Sequence, residues 1–133
     1  MTREDCEILT DVAARNRRNK RRGASWEAEL RDELRRTGLD VERLRLTGKD
    51  DEGDLVIRRG DGRFLVVEAK NARFEPGTFI GEAEKERASF AQHRGLDPAA
   101  VDSVVIVRRR GASWRRAYVL TTVEAYFELE ADR

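Results

Sequence analysis

The feature that most constrains the fold is a β-hairpin signal between Asp54 and Lys70. Two runs rich in Val, Ile, Leu and Phe, "DLVIR" and "FLVVEAK", flank the turn sequence Gly60-Asp61-Gly62. Apolar runs joined by a short glycine-containing loop predict two antiparallel strands. With a three-residue loop that has Gly62 in the left-handed conformation, Arg59 faces Arg63. This pair fixes the register of the whole hairpin.

The predicted register places Asp54 directly opposite Glu68. Cross-strand neighbours have Cβ atoms about 4.5–5.5 Å apart, so the two carboxylates would lie side by side. Facing like charges destabilise a sheet unless they are compensated, and a divalent cation such as Mg²⁺ binds one or two carboxylates together with waters. Lys70 shares the face of Glu68 because the two are separated by two positions, which puts its ammonium beside the cation.

Glu27 is a fourth candidate residue. The segment "GASWEAELRDELRRTG" predicts a helix in which Trp26, Leu30 and Leu34 recur at spacings of four. Glu27 falls on or beside this apolar stripe. Its carboxylate is therefore either at the rim of the core or turned toward a charged group, and that group is the metal site if the helix packs on the hairpin.

Each of these charges also has an ordinary explanation. An Asp that follows a Gly at a strand start is common in loops, and a Glu-x-Lys pair on an edge strand limits aggregation. A Glu near the start of a helix stabilises the helix. Together, the register, an acidic loop at 50–54 and the basic segments at 15–22 and 108–116 favour the catalytic interpretation.

The length predicts one domain, and the distribution of charge, rather than the net charge, is compatible with an anionic partner. The chain has 133 residues, of which 39% are hydrophobic and 40% charged, with a net charge of +1. Segregated charge allows one surface to bind an anionic polymer while one pocket binds a cation. The single cysteine, Cys6, excludes an intramolecular disulfide. Neither a membrane span nor a signal peptide is recognised, so a cytoplasmic location is expected.

The pattern along the chain predicts the order α-β-β-β-α-β-β-α in an α/β fold. Residues 1–22 are interpreted as a basic, flexible arm and 23–133 as a single domain. The first helix is expected to begin at the N-cap Ser25 and to end at Gly38. The remaining predicted elements are a strand at 39–48, the hairpin, a loop with a Pro76-Gly77 turn, a helix at 82–94, strands at 102–109 and 114–120, and a helix that starts at Thr121.

The spacing of the charged residues resembles the signature of PD-(D/E)xK nucleases. Thirteen residues separate Asp54 from the sequence Glu68-Ala69-Lys70. Upstream, "RGASWEAELRDELRRTGLDVERLRLTG" resembles the opening of archaeal-type Holliday junction resolvases, with a basic residue, Gly, three residues, Glu, a Leu-rich helix and a strand. The resemblance covers Arg22 to Lys70. It departs from the signature at Gly53, where proline is usual.

The resemblance implies a restriction-endonuclease-like fold, a mixed β-sheet flanked by helices, that hydrolyses phosphodiesters with Mg²⁺, or with Mn²⁺ as a substitute. It implies that Asp54, Glu68 and the backbone carbonyl of Ala69 hold the metal. Lys70 would orient or activate the attacking water and stabilise charge at the phosphate. Glu27 would assist through a second metal or a bound water.

The substrate implied by the resemblance is branched DNA, such as the four-way junction of recombination and repair. Two symmetric nicks require two active sites, so a homodimer is expected. The single His93 is interpreted as a surface residue. Two alternatives stay open: a repair, restriction-like or flap nuclease of the same fold, and a non-catalytic nucleic-acid-binding module. Residues expected to contact phosphates are Lys20, Arg21, Arg22 and Arg73. The resemblance also makes Gln92, on the helix after the motif, an accessory candidate near the active site.

Overall fold

The computed structural model describes residues 3–44 and 54–130, without the side chains of residues 3–12, 16, 19, 20, 24 and 54. It is a mixed α/β fold, as predicted. No helix in these two ranges has the length and apolarity that crossing a membrane requires. The helices and strands are α1 (Arg3–Arg36), β1 (Asp40–Arg43), β2 (Asp54–Arg58), β3 (Phe64–Lys70), α2 (Pro76–Arg94), β4 (Val101–Val107), β5 (Tyr118–Leu120) and α3 (Val123–Tyr126).

The first helix, α1, is longer than predicted. It runs without a break from Arg3 to Arg36, so the predicted N-cap at Ser25 is wrong and the boundary at 22/23 falls inside a helix. Arg, Lys and Ala are good helix formers, and one glycine, Gly23, costs only about 1 kcal/mol, which the flanking turns outweigh. The predicted end is confirmed, because Gly38 has a φ of 96° and donates its amide to Arg35 O at 3.0 Å.

The five strands form one open sheet in the order β1-β2-β3-β4-β5. All neighbours are antiparallel except β3 and β4, which are parallel. Parallel strands need a long crossover, and α2 supplies it. This arrangement confirms the mixed sheet covered by helices.

The hairpin between β2 and β3 has the predicted three-residue loop. Gly60 and Gly62 have φ angles of 84° and 79°, a conformation that glycine adopts without steric cost. Arg59 donates its amide to Arg63 O at 3.0 Å, which closes the loop at the predicted pair. The register of the two strands is therefore confirmed.

Alternate residues of the strands pack on opposite faces of the sheet. The face toward α1 buries one cluster: Trp26, Leu30, Val41, Leu55, Ile57, Val67 and Ala69. The face toward α2 buries two clusters: Leu44, Val56, Val66, Phe90, Ala91 and Val101 in one, and Phe79, Ala83, Val105 and Val107 in the other. The central strands are covered on both sides, which explains their near-continuous apolar sequence.

Three predicted boundaries are wrong. Pro76 begins α2 instead of forming a turn with Gly77, because proline suits the first helical position, where an amide is not needed. The last strand covers only Tyr118–Leu120, since Trp114–Arg116 forms a 3₁₀ turn. The N-cap of α3 is Thr122, whose hydroxyl accepts from Ala125 N at 3.1 Å, and not Thr121.

Strand β1 is also shorter than the predicted 39–48. It spans Asp40–Arg43, and the next residue in the chain, Leu44, is buried. Residues 45–53, which hold the rest of the predicted strand and the acidic loop up to Gly53, lie outside the described residues.

Candidate active site

The predicted pair of acidic positions lies at one end of the sheet, where β2 begins and β3 ends. The strand register pairs Asp54 with Glu68. Residues directly opposite each other in an antiparallel pair belong to the same face, and Val56 and Val66 identify it as the α2 face. The side chain of Asp54 lies outside the described part of the structure.

Glu68 is a buried carboxylate, with only 2% of its surface exposed. Its Oε1 atom lies 3.2 Å from Nζ of Lys70. Its Oε2 atom is buried and has no hydrogen-bond partner among the described residues. A buried carboxylate oxygen is costly unless a hydrogen bond or a cation compensates it. This oxygen therefore suits a hard cation placed between Glu68 and the Asp54 position.

Lys70 is held between two carboxylates on the same face. Its Nζ atom lies beside Glu68 and also donates to Oε2 of Glu82 on α2. It sits 5.4 Å from the centroid of the Phe79 ring, which adds a cation–π contact. This ammonium group is part of a charge chain that runs from the sheet to α2.

The pKa of Lys70 is raised above its ordinary value of 10.5. Burial acts in the opposite direction, but the hydrogen bond to Glu82 and the charges of Glu68 and Glu82 outweigh it. Lys70 is thus an ammonium at neutral pH in this arrangement. It can donate hydrogen bonds and stabilise negative charge, whereas it cannot accept a proton as a general base.

Glu82 is a member of the site that the sequence analysis missed. The prediction began the helix at Glu82, because it treated Pro76-Gly77 as a turn. With Pro76 at the first helical position, the buried residues Phe79 and Ala83 lie on the inner side of α2, with Glu82 beside them. Helical spacing from Pro76 is the signal that could have found it.

Glu27 is buried at the same end of the sheet but on its other face. Only 2% of its surface is exposed, and its Oε1 atom pairs with Nε of Arg43 at 3.0 Å. Arg43 is opposite Leu55, which packs against α1. Arg43 is therefore one charged group that Glu27 contacts, and the sequence analysis did not propose it. Participation of Glu27 at a metal stays a prediction.

The other predicted residues differ in their exposure and in what they contact. Arg21, Arg22 and Arg73 are exposed, and Arg22 O accepts from Nδ2 of Asn71 at 3.5 Å, so this part of α1 is close to the residue after Lys70. Ala69 is buried in the α1 cluster. The side chain of Lys20 lies outside the described part of the structure.

Gln92 and His93 are exposed in the last turn of α2. Gln92 follows Glu82 by ten residues, which corresponds to about 15 Å along a helix. The structure therefore does not bring Gln92 to Lys70.

The described side chains contain no group of three or more His, Cys, Asp or Glu residues arranged to hold a metal ion. That statement does not extend to the carboxylate of Asp54. No protein-family model matches the chain, and no curated protein matches it either. Support for a function therefore comes from the site's geometry and from the resemblance of its sequence motif.

Proposed function

We propose that the protein is a metal-dependent DNA endonuclease of the PD-(D/E)xK type. The observation that carries the proposal is the pairing of Asp54 with the buried Glu68, with Lys70 two positions further on the same strand. The mixed sheet with a parallel β3–β4 pair is compatible with the restriction-endonuclease-like fold that such an enzyme would have.

The residues present fit a magnesium ion. Oxygen ligands from one or two carboxylates are what Mg²⁺ takes in proteins, and Glu68 offers a buried oxygen without a hydrogen-bond partner among the described residues. Asp54, Glu68 and the carbonyl of Ala69 would hold the ion, with Mn²⁺ as a substitute. When bound, the metal would polarise a phosphoryl oxygen and lower the pKa of a water molecule.

The chain's own residues would position the DNA and stabilise charge. Lys70, which stays protonated, would donate to a phosphate oxygen or to the attacking water and would offset negative charge as it develops. Glu82 fixes the direction of the Lys70 side chain by binding its ammonium. Arg21, Arg22 and Arg73 are exposed and would contact phosphates without reading sequence.

The more specific proposal is a Holliday junction resolvase that acts as a homodimer. It depends on the resemblance between Arg22 and Lys70, because the shape of a DNA substrate is read by surfaces outside the metal site. Two symmetric nicks across a four-way junction would need two copies of the site.

The test is cleavage of two substrates by the purified chain. We expect a labelled four-way junction to be nicked with Mg²⁺ while a linear duplex of the same sequence is spared. Glu68→Gln should lose cleavage, whereas Glu84→Gln, an exposed carboxylate on α2, should keep it.

Each failure has a distinct meaning. Equal cleavage of junction and duplex would contradict the resolvase proposal but would agree with the more general nuclease proposal. No cleavage with either Mg²⁺ or Mn²⁺ would contradict the nuclease itself. A Glu68→Gln variant that cuts as fast as the wild type would show that the site is elsewhere.

A further inference from the structure

A groove of about 870 Å³ lies next to Lys70, between the segments that follow β3 and β4. The two segments are joined at the site itself, because Arg108 donates its amide to Lys70 O at 2.8 Å. The charged and aromatic side chains of its lining are Arg73, Phe74, Arg108, Arg109, Arg110 and Tyr118. A ligand in this groove would therefore extend directly from the proposed catalytic residue.

The charge of the groove is uniformly positive. Its described lining includes four arginines and no Asp or Glu. Within the described part of the chain, none of these four guanidinium groups forms an ion pair with a carboxylate, although Arg108 lies 5.8 Å from the Trp26 ring. Four adjacent guanidinium groups attract a polyanion such as a nucleic-acid backbone. A second copy of the same surface would instead meet like charge.

Two aromatic rings stand exposed among these arginines. Phe74 is 53% exposed and Tyr118 is 47% exposed. Their ring centroids are 6.3 Å apart with an interplanar angle of 66°, and Cζ of Arg109 lies 5.7 Å from the Tyr118 centroid. Exposed rings beside cationic groups are the combination that binds single-stranded nucleic acid, because an unpaired base can stack on a ring while its phosphate pairs with an arginine.

We infer that this groove binds unpaired nucleotides of the DNA strand that enters the site. The inference rests on the proposed nuclease function and narrows its substrate to DNA with an accessible single strand, such as a fork, a flap or the open centre of a junction. The bases of an intact linear duplex are already stacked on each other, so Phe74 and Tyr118 would have no base face to contact.

The experiment measures binding without cleavage. Fluorescence anisotropy in EDTA would compare a fluorescein-labelled (dT)₂₀ strand with a 20-bp blunt duplex. We expect the single strand to bind at least about fivefold more tightly, and Tyr118→Ala to weaken its binding by about 5- to 100-fold with little effect on the duplex. Tyr126→Ala, which removes another exposed ring, is the matched control.

The contribution of the groove arginines is measured separately, by the salt dependence of single-strand binding. Removing one phosphate contact lowers the salt dependence of single-strand binding by about 0.7 in the slope of log K against log salt. We expect this change for Arg73→Gln and for Arg110→Gln, and none for Arg36→Gln at the far end of α1.

Several outcomes would overturn the inference. Tyr118→Ala could leave single-strand affinity unchanged or weaken both substrates equally. It could also halve the mass in light scattering while DNA affinity stays constant, which would identify a self-association surface. If the wild type cleaves the junction but binds single strands no more tightly than duplex, the inference about the groove is contradicted and the nuclease proposal is not. If single-strand binding depends on Tyr118 but the wild type does not cleave DNA, the nuclease proposal is contradicted and the inference about the groove is not.

Discussion

The substitution Lys70→Met tests whether the ammonium between Glu68 and Glu82 stabilises the fold as well as the site. Methionine keeps the length and apolar stem of lysine but removes its charge. In the wild type, Nζ is 3.2 Å from Glu68, whose side chain is 3% exposed. The variant leaves this buried carboxylate without the cation that it contacts.

The expected loss of stability is about 3 kcal/mol. Breaking a buried ion pair from one side costs about 3–5 kcal/mol, and the lower end applies because Lys70 is partly exposed. The loss of the Glu82 contact adds little, since that side chain is 45% exposed and regains water. For 133 residues, 3 kcal/mol corresponds to a decrease of roughly 10 °C in Tm.

Thermal unfolding in EDTA at pH 7 measures this loss, with Lys85→Met on the exposed side of α2 as the matched control. The double variant Lys70→Met with Glu68→Gln should recover most of the stability, because the uncompensated charge is gone. Adding Mg²⁺ should raise the Tm of Lys70→Met more than that of the double variant. A loss below about 1 kcal/mol, as for a surface ion pair, or no recovery in the double variant, would refute the reasoning.

Three further predictions concern the surroundings of the site. The raised pKa of Lys70 contributes stability that is complete below the unfolded value of 10.5 and is lost as pH rises through the folded value, so Tm should fall above about pH 10.5. Glu82→Gln should reduce this extra alkaline loss, and an unchanged Tm–pH curve would contradict the assignment. Arg43→Met should cost about 1–3 kcal/mol in urea unfolding because it removes the cation 3.0 Å from buried Glu27, and a neutral effect would contradict that pairing. Gly62→Ala should cost about 1 kcal/mol because the φ of 79° strains any residue with a Cβ, and a Tm equal to that of the wild type would contradict the loop geometry.

The sequence predicted those parts of the fold that depend on residues close to one another in the chain. The hairpin register follows from two glycines and two apolar runs, and the end of α1 follows from Gly38. The start of α1 was missed because Ser25 carries a capping residue type in a place where the helix simply continues. Local preference at one residue was outweighed by the turns on both sides of it. Pro76 was misread for a related reason, because the same residue type occurs in turns and in the first turn of a helix.

The sequence analysis predicted the strand residues of the candidate site, but it missed the residues on other elements that form ion pairs with the candidate residues. Spacing along β2 and β3 places Asp54, Glu68 and Lys70, whereas Arg43 and Glu82 reach their partners from other elements by tertiary packing, which periodicity does not show. Those partners bear on how the proposed reaction would work. The Lys70 ammonium has three donors, and its contacts with Glu68 and Glu82 use two of them, which leaves the third for a phosphate. Of the two carboxylates, Glu82, at 45% exposed, regains water more readily than Glu68 at 3%. Glu82 is thus expected to orient Lys70, and it is the carboxylate that would yield the ammonium first if a bound phosphate displaced one of the two.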